Sequence, residues 1–175
     1  MNMNMLERLK QGNERYMRHG DAALRERTAT EGQQPYAVVI CCSDSRVIPE
    51  QIFDAGIGEL FVIRVAGNVL DAHALGSIEY AVSHLHAKLV LMLGHTGCGA
   101  VAATVAGHSK GYIAFLTDEI RKAIGMELDP DAACRRNVAY GTDRIRTAFS
   151  AHPAFADAKV YGAVYDIRTG AVEWL

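Results

Sequence analysis

The strongest constraint on this chain is a strand that ends in reactive groups: Tyr36-Ala37-Val38-Val39-Ile40-Cys41-Cys42-Ser43-Asp44-Ser45-Arg46. An apolar, β-branched run set off by Gly32 and Pro35 reads as a buried strand, and it stops at a thiol, a carboxylate and a guanidinium. A second buried run, Lys88-Leu89-Val90-Leu91-Met92-Leu93-Gly94, leads into His95-Thr96-Gly97-Cys98-Gly99-Ala100. Open α/β sheets carry their ligand sites beyond the carboxyl ends of such strands.

Between and after these runs the pattern alternates. Pro49 to Phe53 reads as a short helix opened by proline, Leu60 to Val65 as a strand with a turn at Ala66-Gly67-Asn68, and Asp71 to His84 as a helix. Further helices are expected from Cys98 to Ala106, Tyr112 to Ile124 and Asp131 to Phe149, with closing strands at Lys159 to Tyr165 and Ala171 to Leu175. This is the grammar of an α/β fold with a central, mostly parallel β-sheet flanked by helices. Asn4 to His19 reads as an amphipathic helix with a thin apolar stripe of Met5, Leu6, Leu9, Tyr16 and Met17, suited to packing on a partner subunit. Asp21 to Gln34 shows no periodicity and reads as a connecting segment. With no linker or repeat, the expectation is a single domain over 1–175, with an N-terminal helical arm and connection over 1–34 and an α/β core over 35–175.

Composition narrows the class. The 175 residues carry 18 basic and 20 acidic side chains, a formal net charge of −2, so there is no polyanion-binding signature and nucleic acid is excluded as a partner. The N-terminus lacks the apolar core of a signal peptide, and no uncharged apolar run of about 18 residues occurs, which predicts a cytoplasmic chain without a membrane partner. Four cysteines are too few for a disulfide scaffold, and thiols grouped with His and Asp in a reducing compartment are ligands or catalytic groups.

Residues two apart in an extended chain project to one side, so Cys42 and Asp44 face one site while Cys41 points away. His95 and Cys98, three apart across a glycine-rich turn, can reach one ion. Two thiolates and an imidazole select zinc and leave a fourth position. If Asp44 takes it, the site is closed; if Asp44 pairs with Arg46, water can bind. A metal with two thiolates and a neutral imidazole is formally uncharged, so it acidifies water less than a three-histidine site and predicts an alkaline working range. Cys41 and Cys134 read as small buried hydrophobes, and His73, His84, His86, His108 and His152 as surface or helix-end residues. Gly94 to Gly99 lacks the lysine of a phosphate loop.

With these motifs in hand, the sequence resembles the β-class carbonic anhydrases. The matching pieces are Cys42-Ser43-Asp44-Ser45-Arg46-Val47, Arg64-Val65-Ala66-Gly67-Asn68, Gly76-Ser77-Ile78-Glu79-Tyr80-Ala81, Gly94-His95-Thr96-Gly97-Cys98-Gly99-Ala100-Val101 and Gly162-Ala163-Val164-Tyr165-Asp166, in family order across essentially the whole chain. The resemblance implies one Zn2+ per chain held by Cys42, His95 and Cys98, with an Asp44–Arg46 dyad gating the fourth position and Asp44 itself a ligand only in a closed state. It implies reversible hydration of carbon dioxide to bicarbonate and a proton through a zinc-bound hydroxide that Asp44 orients. Phe61, Ala66, Tyr80 and Gly97 match the substrate pocket and Gln33 its amide donor. The family unit is a dimer in which the N-terminal helix reaches over the partner and the pocket is shared, so a homodimer or tetramer is expected. Arg64 matches the arginine of a regulatory bicarbonate site found in some members, but Val39 and Cys41 stand where its tryptophan and glycine would be, so that regulation is not expected here. The same scaffold could serve a carbonyl sulfide or carbon disulfide hydrolase, or a non-catalytic zinc-binding module; an intact Arg46 argues against the last.

Overall fold

The computed structural model describes residues 4–175, and the chain divides into two compact units at Gln33 and Gln34. The first unit holds two helices. Helix α1, Met5–His19, begins at Asn4, whose side chain accepts the Leu6 N–H at 3.0 Å. Its apolar stripe is exposed, Met5 and Leu9 by 85% and 73%. The segment read as a connection is instead largely a second helix, α2, Ala22–Glu31. Asp21 caps it through the Leu24 N–H at 2.8 Å, and Ala22, Ala23, Leu24 and Arg25 are strong helix formers. No residue of α2 is buried, so the helix has no apolar period for a sequence to display.

The second unit is a five-stranded sheet in the order β2-β1-β3-β4-β5, with β1 Ala37–Cys41, β2 Leu60–Arg64, β3 Leu89–His95, β4 Lys159–Tyr165 and β5 Val172–Trp174. All pairings are parallel except the last, β4 with β5. The mostly parallel sheet flanked by helices is thus the observed fold. Strand β1 is buried along its whole length, which is why it reads as a continuous apolar run rather than an alternating one.

Helices α4, Ala72–His84, and α7, Pro130–Ala148, cover the sheet face carrying Val38, Ile40, Val90 and Met92, to which they contribute Ile78, Val82, Val138 and Ile145. Each such buried aliphatic side chain stabilises the fold by roughly 1.5–3 kcal/mol. Their entries are fixed locally: Asp71 accepts the Ala74 N–H and Asp129 the Ala132 N–H, both at 2.7 Å. The opposite face, with Val39, Cys41, Leu91 and Leu93, packs against Val47 and the short helix α3, Pro49–Ile52. Two further helices, α5 Gly99–Val105 and α6 Ile113–Ile124, pack together above the carboxyl ends of β1 and β3.

The chain leaves β1 for β2 on one side and enters β3 on the other. A crevice opens at such a switch point. Among the described residues, no helix is long and apolar enough to cross a membrane.

Candidate metal centre

The register Cys41↔Leu93 sets Cys42 level with Gly94, one residue before His95 at the end of β3, so Cys42 and His95 emerge together at the switch point. The turn Thr96-Gly97 then brings Cys98 back, with Gly97 at φ +64°, a conformation that costs a residue with a Cβ about 1–2 kcal/mol. The ligand atoms of Cys42, His95 and Cys98 all lie within 4.8 Å of one another, and all three residues are buried.

The donor set fits zinc. His95 Nδ1 lies 2.9 Å from the Thr96 carbonyl, which makes it the protonated nitrogen and turns Nε2 toward the sulfurs. That Nε2 is buried without a hydrogen-bond partner, an arrangement that costs free energy unless a metal takes the lone pair. The two sulfurs are 4.0 Å apart, within reach of a hydrogen bond from one thiol to the other. Cys42 is the more acidic of the pair, its pKa lowered first by the hydrogen bond with Cys98, while that bond and burial raise the pKa of Cys98. The Gly67 N–H also donates to Cys42 Sγ, at 3.2 Å.

Asp44 does not join the three-ligand cluster. Arg46 Nε donates to Oδ1 at 2.9 Å and Nη2 to Oδ2 at 2.7 Å, and the Arg46 amide adds a third bond to Oδ1 at 3.0 Å. These bonds hold the Asp44 carboxyl well below the usual carboxylate range. A cleft of about 610 Å³ opens beside the ligand turn, with Arg46, Gly97 and Arg168 in its wall.

Within the second unit, the residues matched to the substrate pocket fall in two places. Ala66 lies in the 3-10 turn beside Gly67, and Gly97 between two ligands, both at the centre. Phe61 pairs with Val38, four residues before Cys42, or about 13 Å along the strand. It meets Tyr80 of α4, with ring centroids 6.2 Å apart. Gln33 is exposed and belongs to the first unit.

Three further side chains support the centre. The Cys134 thiol, pushed up to about 11 by burial and so held protonated, donates to the His95 carbonyl at 3.1 Å. Asn137 Nδ2 donates to the Gly67 carbonyl at 2.8 Å. Arg64 donates to the carbonyls of Cys42 and Asp44. Only Arg64 sits within a recognisable motif; Cys134 and Asn137 lie on α7, far from any ligand in sequence. Cys41 faces the opposite side of the sheet, and burial pushes its thiol up to about 12.

A family model described as carbonic anhydrase matches residues 37–172. A carbonic anhydrase 2 of Mycobacterium tuberculosis is 47% identical over 108 residues, covering 59% of this chain and 52% of its own length, so the match spans about half of that relative. A carbonic anhydrase of Mycolicibacterium smegmatis is 37% identical over 183 residues, covering 94% of this chain and 89% of that one. Among solved structures, a tetrameric β-carbonic anhydrase of the ascomycete Sordaria macrospora superposes with a TM-score of 0.76 at 26% identity, covering 99% of this chain and 98% of that one.

Proposed function

The chain belongs to the β-class carbonic anhydrases, and on that premise we propose that it catalyses the reversible hydration of carbon dioxide to bicarbonate and a proton, with one zinc ion held by Cys42, His95 and Cys98. The observation that carries this reading is the Asp44–Arg46 pair beside a three-ligand cluster. With its carboxylate engaged by Arg46, Asp44 leaves three protein ligands, the number found in catalytic zinc sites rather than closed structural ones. Zinc bound there would supply the Lewis acidity that makes water a nucleophile near neutral pH.

The protein's own groups do the rest. Asp44 Oδ1 already accepts two hydrogen bonds, whereas Oδ2 accepts one, so the free acceptor site is on Oδ2. We assign it the hydrogen bond from the attacking oxygen, which turns that oxygen's lone pair toward the carbon. Arg46 keeps Asp44 ionised for this task. Ala66 and Gly97 line the chain's own side of the pocket. Phe61 and Tyr80, too far along the sheet to reach their own Cys42, line the site of a second copy, and Gln33 supplies an amide donor. The exposed stripe of α1 supports an arm that packs on that copy, giving a homodimer or a tetramer. Four free cysteines, all buried, fit a cytoplasmic enzyme.

Stopped-flow carbon dioxide hydration between about pH 6.5 and 9, with zinc measured on the same sample, tests the reading. Activity rising with pH at one zinc per chain is expected. A zinc-replete chain without hydration anywhere in that range overturns it and directs attention to carbonyl sulfide and carbon disulfide.

A further inference from the structure

We propose that Arg64 is a positioning residue: its guanidinium, at the end of β2, clamps the backbone turn that carries both the metal ligand Cys42 and the gate Asp44. Its activity readout rests on the hydration reading above; its geometric basis does not.

The clamp begins where the sheet stops. The β1–β2 ladder continues one step past the strands, with the Val65 N–H donating to the Cys41 carbonyl at 3.1 Å. There β2 bends away into the turn Ala66–Asn68, and residues 42–44 lose their neighbouring strand. Carbonyls stranded in this way need donors. Arg64 supplies them from its side chain, Nε to the Cys42 carbonyl at 3.3 Å and Nη2 to the Asp44 carbonyl at 2.8 Å. Carbonyls two residues apart in an extended segment project to the same side, and a planar fork can bridge them where a lysine ammonium cannot hold both. The Val47 N–H takes the second lone pair of the Asp44 carbonyl at 3.0 Å, so the turn is held from both ends. Arg64 makes no ion pair among the described residues; its fork is given to these two carbonyls.

The consequence concerns where the Asp44 carboxylate can go. On this proposal, rotation of the peptide units around Ser43 and Asp44 is what lets the carboxylate leave Arg46 for the metal. Arg64 fixes the carbonyls on either side of that rotation. Removing the fork frees the turn, and the carboxylate moves toward the metal without any ligand having been deleted.

The experiment uses the full chain loaded with cobalt(II), whose visible absorption reports the coordination sphere independently of turnover. Arg64→Ala is expected to retain one metal per chain, to change the cobalt spectrum, and in the zinc form to lose turnover roughly tenfold or more with KM little altered, since both hydrogen bonds from the charged fork are lost. Arg64→Lys should recover only part of the loss, and free guanidinium should restore the spectrum and turnover of Arg64→Ala. In an Asp44→Asn background, Arg64→Ala should leave the spectrum unmoved, because the group through which it acts is gone. A wild-type spectrum and turnover in Arg64→Ala would overturn the proposal, as would a folded variant that simply loses its metal, or a spectral change that persists without Asp44. Should Arg64→Ala fail to fold, Arg64→Gln carries the same comparisons. If the wild-type chain hydrates no carbon dioxide, the activity reading falls while the cobalt spectra still decide the role of Arg64.

Discussion

Arg46 holds Asp44 with both ends of its guanidinium fork, Nε on Oδ1 at 2.9 Å and Nη2 on Oδ2 at 2.7 Å, two residues apart in sequence and directly beside the buried Cys42, His95 and Cys98. The pair decides how many protein ligands the centre has. A bidentate arginine–carboxylate contact is strong and directional, and it can offset what the carboxylate would gain by joining the metal. With Asp44 so placed, the chemistry of the centre becomes open to test.

Asp44→Asn should keep zinc at one per chain, because Asp44 is outside the three-ligand cluster, yet lower hydration roughly a hundredfold or more, the usual scale for losing a proton-handling group. Turnover equal to wild type at full zinc occupancy would remove Asp44 from the mechanism.

The pH profile follows from the same contact. Arg46 lowers the Asp44 pKa, so the stabilisation from this pair is fully present above the ordinary carboxylate pKa of about 3.9 and is lost only as pH falls through the lower, folded value. Asp44 is therefore ionised throughout the working range, and hydration should rise from about pH 6.5 to 9 with no limb from this carboxylate. A profile flat across that window, measured by stopped flow, would contradict an alkaline metal-bound water.

Cys42→Ser and Cys98→Ser each remove one of two thiolates from a buried set. Zinc affinity should fall at least about a hundredfold, and the thermal midpoint of the zinc-loaded protein should drop because metal binding and folding are linked. Elemental analysis after dialysis against a chelator reads the first and calorimetry the second; a variant retaining stoichiometric zinc would exclude that sulfur as a ligand.

Gly67→Ala probes the support beneath Cys42. Gly67 adopts φ +69°, and a Cβ there would meet Ile120 Cδ1 at 2.6 Å and Ala100 Cβ at 3.1 Å. Strain and overpacking should cost roughly 1–3 kcal/mol, a fall of about 2–10 °C in thermal midpoint for a chain of this size. Because the Gly67 N–H donates to Cys42 Sγ, zinc affinity should weaken as well. Unchanged melting in differential scanning calorimetry would show that the turn relaxes freely.

Much of this protein was legible without coordinates. Apolar runs ending at Cys42 and His95, the helical stretches after Asp71 and Pro130, and the residue types of the metal set are local properties, carried by short stretches of chain, and the structure has them where the pattern implied. Helix α2 was not legible, because an exposed helix has no buried face to impose a period. What only the tertiary structure decided is adjacency. By strict alternation His95 shares a face with Leu91 and Leu93, and Cys42 with Val38 and Ile40, yet their ligand atoms meet because both lie where β1 and β3 stop. That meeting depends on the β1–β3 register, which puts Cys41 opposite Leu93 and so brings Cys42, just past β1, to within a residue of the level of His95 at the end of β3. The grip of Arg64 on the Cys42 turn and the distance of Phe61 from it are set in the same way. Alternation, capping and ligand chemistry act between near neighbours and can be read along the chain; strand order and register join residues dozens of positions apart, and only the packed sheet specifies them.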